Sequence, residues 1–161
     1  MTTKNNYLLK AHEIFFQRTV ELNDEVKALS RKLSYEELQQ HETVKLAHRV
    51  YKATFEIIPE NPDRPSYHLK ADLKKYRRYK QGLGRYRLFF GFSNTPKIIL
   101  YLYLNDRMTL RKEGDRNDPY ERFRTFVRQG RVSHDPLHPR IQAWIRDYDP
   151  EEKIRGVRSI A

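Results

Sequence analysis

The chain has 161 residues, a formal net charge of +11 and no cysteine. The length suits one domain, which we expect over residues 1–150, followed by a flexible tail over 151–161. Without cysteine the chain can form neither disulfides nor thiolate zinc sites. The longest apolar run, 98–104, is too short to cross a bilayer, and residues 1–10 lack the apolar stretch of a secretory signal. We therefore expect a cytoplasmic protein with no membrane partner.

The positive charge is concentrated in one part of the sequence. Residues 64–87 contain nine lysines and arginines but a single acid, Asp72, whereas residues 1–63 are almost neutral. A basic stretch of this density indicates a polyanionic partner, such as nucleic acid, acidic lipid or an acidic protein. Binding to a membrane surface is the weaker interpretation, because the stretch has the pattern of strands and not of a basic amphipathic helix.

Two helices are predicted in the N-terminal third. Apolar residues recur at helical spacing over 12–33 and again over 34–58. Ser34 and Glu37 have the spacing of a capping box, which marks the start of the second helix. The prolines that follow, Pro59 and Pro62, mark its end. Two consecutive amphipathic helices predict a helical hairpin.

The periodicity then changes to that of strands. Strands are predicted over 67–69, 76–80, 85–92 and 97–105. A helix is predicted over 120–128, where Gly130 provides the stop, and a shorter one over 140–147. Two helices, a meander of strands and a further helix predict an α+β fold.

The strands on either side of residues 81–84 predict a hairpin that gathers cations on one face. Its cross-strand pairs, for a four-residue loop, are Lys80 with Arg85, Arg78 with Arg87, and Tyr76 with Phe89. Alternation along a strand places these side chains on the same face. Like charges that lie opposite each other destabilise a sheet by about 0.2–1 kcal/mol per pair. A bound phosphate backbone would relieve this repulsion; the alternative is an ordinary solvated face.

The same cations suit cleavage of RNA without a metal or other cofactor, by attack of the RNA's own 2′-hydroxyl on the adjacent phosphate. Arginines grip phosphate oxygens and stabilise the negative charge that develops there. A general base must release its proton near neutral pH, and neighbouring positive charge favours this in a lysine. Lys80 is therefore the candidate base. The other candidate catalytic residues are Arg78, Arg85 and Arg87.

Aromatic residues beside the basic face are candidates for contacts with the nucleic acid. Tyr76 and Phe89 can stack on unpaired bases, as aromatic side chains do in many RNA-binding proteins. A hydroxyl from Tyr76, Tyr79 or Tyr120 can assist proton transfer.

Motifs for other chemistries are weak. His41 and His48 are seven residues apart, which is not the spacing of a helical zinc pair. His134 and His138 lie among prolines and lack an evident third ligand, so we expect no metal site. No helix is predicted after the glycines of the 82–84 turn, which argues against a dinucleotide fingerprint.

Several short strings resemble one toxin family. They are GRYRLFF at 84–90, IIL at 98–100, ND at 105–106, TLR at 109–111 and DPY at 118–120, followed by sequence up to Gly130. In combination they are similar to the YhaV-type toxins of type II toxin–antitoxin systems, within the RelE/ParE superfamily. The resemblance covers roughly residues 40–130 and is clearest over 76–130.

The resemblance implies a RelE-like fold, with an N-terminal helical hairpin packed on a twisted antiparallel sheet. It implies a ribonuclease toxin that cleaves mRNA, free or on the ribosome. It also implies a PrlF-type antitoxin as partner, with operator DNA bound only through the toxin–antitoxin complex. The superfamily includes members that poison DNA gyrase and cut no RNA. The alternative function is therefore a non-catalytic RelE-fold module that binds the antitoxin and operator DNA.

In this superfamily, basic residues on the central strands form the active face without a metal. By matching position, the resemblance assigns that role to Arg78, Lys80, Arg85 and Arg87. The expected RNA-binding residues are Tyr76, Arg77, Phe89, Arg107, Arg111 and Tyr120. For Arg111 the alternative is a structural salt bridge to Asp106 or Asp118. The neighbouring Arg77 and Arg78 leave open which of the two faces the substrate.

Overall fold

The computed structural model describes residues 2–149, which adopt an α+β fold as the sequence predicts. Their helices are α1 (Glu13–Ser30), α2 (Tyr35–Gln40), α3 (Glu42–Lys52) and α4 (Pro119–Arg128). Their strands are β1 (Thr3–Lys4), β2 (Tyr7–His12), β3 (Arg77–Tyr79), β4 (Leu88–Asn94), β5 (Lys97–Leu104) and β6 (Ile145–Asp147). The predicted tail, residues 151–161, lies outside the described part of the chain.

The strands form one mixed sheet in the order β1-β2-β5-β4-β3, and β6 also pairs with β2. β2 runs parallel to β5, with Leu8 opposite Ile98, so the expectation of an antiparallel sheet is wrong at this pair. The strand β2 itself was not predicted. Its first five residues alternate in burial, but two of its three pairing partners, β5 and β6, lie about 90 to 137 residues away in sequence.

The predicted N-terminal helical hairpin is not evident in the structure. The chain enters through β1 and β2, and α1 begins only at Glu13. The second predicted helix is divided at His41, whose backbone is extended at φ −73° and ψ 133°. Its imidazole Nδ1 accepts a hydrogen bond from the Thr43 N–H and so caps α3. The capping box of Ser34 and Glu37 at the start of α2 is confirmed.

Helices cover both faces of the sheet, which explains why β5 is buried on both sides. α1 and α3 pack against the face that carries Ile99 and Tyr101. α4 packs against the opposite face, where Phe123 meets Leu100 and Leu102. Phe89 pairs with Tyr103 and Phe90 pairs with Tyr101, so β5 has a bulge at the intervening Leu102. The bulge shifts the alternation of side chains between the two faces of the sheet for the residues that follow it.

The C-terminal part of the described chain returns to the sheet. Residues 139–144 form a 3₁₀ helix and β6 follows, so the predicted helix over 140–147 is wrong in its second half. On the way, the backbone of His134 crosses β4 so closely at Gly91 that a Cβ there would overlap it. Gly91 therefore permits the crossing that brings this segment over the sheet.

Candidate active site

The register of β3 and β4 differs from the predicted hairpin. In the structure Arg78 lies opposite Phe89. β3 ends at Tyr79 and β4 begins at Leu88, and residues 80–87 connect the two strands. The predicted pairs that the structure contradicts are Lys80 with Arg85, Arg78 with Arg87, and Tyr76 with Phe89. The cations are therefore not stacked in opposed pairs along two strands.

A buried leucine explains why this connection is long. Leu83 is only 3% exposed and anchors the middle of the loop in the core. Its N–H donates to the Lys80 carbonyl, and its own carbonyl accepts from the Tyr86 N–H. Two successive turns result, and Gly82 and Gly84 supply the positive φ angles of 74° and 60° that they need.

The aromatic residues chosen for base stacking are buried. Phe89 is fully buried and stacks on Phe123 with 4.3 Å between ring centroids. Tyr76 is 5% exposed and meets the same Phe123 edge-on at 5.0 Å. Burial raises the pKa of the Tyr76 hydroxyl. The prediction that Tyr76 and Phe89 stack on RNA bases is therefore wrong: they build the core behind the site.

Arg78, Tyr120 and Arg111 meet in one place and form what we call the arginine–tyrosine cluster. Arg78 Nη1 donates to the Tyr120 hydroxyl at 3.2 Å, and Nη2 donates to the Ser66 carbonyl at 2.8 Å. The Arg111 guanidinium lies over the Tyr120 ring, 4.9 Å from its centroid, in cation–π geometry. All three cluster side chains remain partly exposed. Two cations thus flank a single phenol at the surface.

A buried carboxylate holds Arg111 in this position. Asp118 Oδ1 accepts from Arg111 Nη1 at 2.6 Å and from the Lys112 N–H at 2.7 Å. Its Oδ2 accepts from the Tyr120 N–H at the start of α4. The hydrogen bond to Asp118 raises the pKa of the Arg111 guanidinium. The salt-bridge alternative for Arg111 is thus confirmed with Asp118, while 31% of the Arg111 side chain stays exposed.

A buried amide, Asn105, joins the two loops that carry the other arginines. Its Oδ1 accepts from the Arg87 N–H at 2.7 Å. Its Nδ2 donates to the carbonyls of Arg85, at 3.2 Å, and Thr109, at 2.7 Å. Its own carbonyl accepts from Arg18 Nε at 3.1 Å. Because Asn105 is fully buried, these bonds fix the two loops relative to each other and to α1.

Arg85 and Arg87 occupy different positions within this arrangement. Arg85 is exposed, and its Nε donates to the Arg111 carbonyl at 3.1 Å, which places it beside the arginine–tyrosine cluster. Arg87 is turned onto its own loop, where Nη1 donates to the carbonyls of Gly84, at 2.6 Å, and Tyr86, at 2.8 Å. Arg85 is therefore available to a ligand, whereas Arg87 supports the loop.

The remaining predicted residues, Arg77, Lys80 and Arg107, make no hydrogen bond to the cluster side chains within residues 2–149. Arg77 donates from Nε and Nη2 to Asp63 at 3.0 and 2.9 Å, so of the two adjacent arginines it is Arg78 that belongs to the cluster. Lys80 and Arg107 are exposed. Within residues 2–149, the Lys80 ammonium makes no hydrogen bond or ion pair to the cluster.

The histidines of the rival motifs have structural partners. The ring of His134 packs edge-on against Tyr76, and His138 Nδ1 accepts from the Arg140 N–H. In the part of the chain that the structure describes, no three His, Asp or Glu side chains form a group that could hold a metal ion. Over the same residues, no helix is long and apolar enough to cross a bilayer.

Sequence reasoning did not single out Asn105 as a structural residue, and it offered Asp118 only as one of two partners for Arg111. Both lie in strings that carry the family resemblance. Asp118 precedes Pro119, which is a helix-start pattern, and its Oδ2 does cap α4. No local pattern indicates the role of the Asn105 amide, because two of its three partners, the Arg87 N–H and the Arg85 carbonyl, lie 18 and 20 residues away in sequence.

Together these contacts present three arginines and a phenol hydroxyl on one partly exposed surface, an arrangement that suits a phosphodiester. A family model for toxins with endonuclease activity, of toxin–antitoxin systems, matches residues 9–138. The chain belongs to the YhaV toxin family.

Two curated relatives support this placement. Toxin YhaV of Escherichia coli O6:H1 is 36% identical over 131 residues, which is 78% of this chain and 84% of the relative. Ribonuclease toxin YhaV of Escherichia coli K12 is 35% identical over 131 residues, with the same coverage. The arginine–tyrosine cluster and Asn105 all lie inside the family match. No solved structure matches this YhaV-family toxin, so its RelE-like topology stays a prediction.

Proposed function

We propose that this YhaV-family toxin is an endoribonuclease that cleaves mRNA without a metal, and that the arginine–tyrosine cluster together with Arg85 is its active centre. The observation that carries the proposal is the phenol of Tyr120 held by two guanidinium groups, Arg78 donating to its oxygen and Arg111 lying over its ring. The name of the K12 relative, a ribonuclease toxin, supports RNA as the substrate.

The arginines would hold the scissile phosphate. Each terminal guanidinium nitrogen of Arg78 carries a second N–H beyond the one used for Tyr120 or Ser66. Arg111, fixed by Asp118, and the exposed Arg85 can approach the same phosphate because the Arg85 Nε contacts the Arg111 backbone. Charge that develops on the phosphate oxygens is stabilised by donors that are already in position.

The cleavage step needs two proton transfers and no added reactant. The 2′-oxygen attacks phosphorus as its proton passes to a base, the P–O5′ bond breaks, and the 5′-oxygen receives a proton. The products are a 2′,3′-cyclic phosphate and a 5′-hydroxyl. Because the Tyr120 oxygen accepts from Arg78, its own O–H is left to donate to the leaving 5′-oxygen. Lys80, which is exposed and directly follows β3, stays our proposed base.

The test is cleavage of a defined single-stranded RNA in EDTA, with the product ends identified. We expect Arg78→Ala to lower the rate by roughly 10²–10³-fold, the usual cost of removing one donor to a developing oxyanion. Arg77→Ala is the matched control, since the adjacent arginine is paired with Asp63 away from the cluster. It should keep nearly the wild-type rate, and circular dichroism should confirm that both variants are folded.

Two results would refute the assignment. Equal loss in Arg77→Ala and Arg78→Ala would show that general charge, not the cluster, matters. Absence of cleavage by the wild type, with or without ribosomes and metal, would favour the alternative of a non-catalytic module that binds the antitoxin and operator DNA. Lys80→Arg separates the roles of Lys80: arginine keeps phosphate binding but cannot act as a base, so the rate should fall while RNA affinity persists.

The family description implies an antitoxin, and we propose that it is of the PrlF type. On this proposal the toxin resides in the cytoplasm, reaches mRNA free or on the ribosome, and touches operator DNA only through its complex with the antitoxin. Gel-shift experiments with toxin, antitoxin and the complex on the operator test this: only the antitoxin-containing samples should shift DNA.

A further inference from the structure

A groove runs between α1, α3 and the loop at residues 82–86, next to the proposed active centre. Its apolar floor is formed by Leu22, Leu46 and Leu83, which are all almost fully buried. Arg85 also lines the groove and is part of the proposed active centre. The groove therefore combines an apolar surface with direct access to a residue that we expect to bind phosphate.

A buried cation lines this groove. Arg18 is only 7% exposed, and its Nε donates to the Asn105 carbonyl. Among residues 2–149, no carboxylate lies within ion-pair distance of Arg18. Burying a charge without an anionic partner is costly. An acidic group in the groove would supply the missing countercharge.

The exposed cations of the groove extend the positive surface along it. Arg49 projects from α3 toward the loop, where its Cδ lies 3.9 Å from the place a Cβ on Gly82 would occupy. Arg107 and Arg85 also line the groove. A chain that lies in the groove can thus meet several guanidinium groups, all of which can pair with carboxylates.

The rest of the lining favours a peptide over RNA. Glu25 and Glu42 line the same groove and would repel a phosphodiester backbone, which carries a charge at every nucleotide. A peptide can place acidic side chains against the arginines and apolar ones against Leu46, and so avoid both glutamates. Mixed apolar and charged contacts are characteristic of protein partners.

We propose that this groove is the docking site for an acidic segment of the antitoxin that also carries apolar side chains. The proposal that this segment binds in the groove rests only on the charged residues and the apolar floor described above. The inhibitory consequence, obstruction of Arg85, rests in addition on the proposed active centre.

The test measures antitoxin affinity and RNA cleavage separately. Purified cognate antitoxin is titrated against wild-type toxin and Arg49→Glu by calorimetry, and overlapping synthetic peptides of the antitoxin serve as competitors. We expect Arg49→Glu to weaken antitoxin binding about tenfold or more, since coupling between close charge pairs across interfaces is of at least this size. It should keep its RNA cleavage rate but become hard to neutralise. An acidic peptide of the antitoxin should compete with the intact antitoxin for the wild-type toxin. It should compete less well for Arg49→Glu.

Two further variants keep the outcome interpretable. Lys27→Glu makes the same charge change at an exposed site of α1 outside the groove and should bind the antitoxin like the wild type. Thr43→Trp fills the groove without changing its charge and should also weaken binding.

Three results would overturn the proposal. The first is wild-type affinity for both groove variants. The second is equal weakening by Lys27→Glu, which would indicate only general electrostatic attraction. The third is lost RNA cleavage with intact antitoxin affinity in Arg49→Glu, which would make the groove part of the RNA path. If the wild type cleaves no RNA, the proposed function fails, while the affinity measurements still decide the docking site.

Discussion

Replacing Asn105 should loosen the two loops that present the arginines. In Asn105→Ala, the Arg87 N–H and the carbonyls of Arg85 and Thr109 lose their side-chain partner in a fully buried position. At about 1 kcal/mol for each of these bonds, the free energy of unfolding should fall by roughly 3 kcal/mol. For a chain of this size, that corresponds to a decrease in Tm of roughly 6–12 °C. The carbonyl contact with Arg18 is a main-chain bond and should survive.

The more informative change is Asn105→Asp, which keeps the size and the acceptor but replaces both N–H donors. It should still receive the Arg87 N–H and should repel the carbonyls of Arg85 and Thr109. We therefore expect kcat to fall while KM changes little, when cleavage is measured well below the Tm of the variant. Asn61→Ala, an exposed asparagine with a local turn bond, is the control and should alter neither quantity. If Asn105→Asp lost stability but kept full kcat, Asn105 would be only a structural residue with no part in positioning the arginines for catalysis.

Three further outcomes are expected. Gly91→Ala should lower the free energy of unfolding by about 1–3 kcal/mol or more in urea titrations, because its Cβ overlaps the His134 backbone; an unchanged midpoint would contradict the crossing. Burial lowers the pKa of His12 and so favours its neutral form in the folded protein; Tm should therefore fall as the pH drops through the pKa of this histidine in the unfolded chain, about 6.5. His12→Asn keeps a cap for α1 and should reduce this dependence, leaving the part due to His134, whose pKa burial also lowers; an identical pH profile would exclude His12. Asp118→Asn should lower the free energy of unfolding by about 1–3 kcal/mol, a figure reduced from that of a fully buried ion pair because Arg111 is partly exposed. The change should also slow RNA cleavage by releasing Arg111; full cleavage activity would show that Arg111 needs no anchor.

Features that depend on neighbours in sequence could be predicted. The capping box at Ser34, the buried strand β5 and the helix α4 with its stop near Gly130 follow from hydrogen bonds and side-chain periodicity within about a dozen residues. The concentration of charge over residues 64–87 and the family resemblance are likewise properties of the sequence. They suffice to indicate an α+β endonuclease toxin and to draw attention to Arg78, Arg85 and Arg111.

Only the tertiary structure decided how those residues are arranged. The register of β3 depends on the burial of Leu83, which lengthens the loop and separates the arginine pairs predicted across it. Phe89 is buried because α4 covers its face of the sheet, and residues distant in sequence determine that packing. The side-chain amide of Asn105 joins the segment of Arg85 and Arg87 to Thr109, and its main-chain carbonyl accepts from Arg18. These contacts unite three segments that meet only after folding. A local pattern specifies which residues can form a strand or bind an anion, but long-range packing decides which of them share a surface.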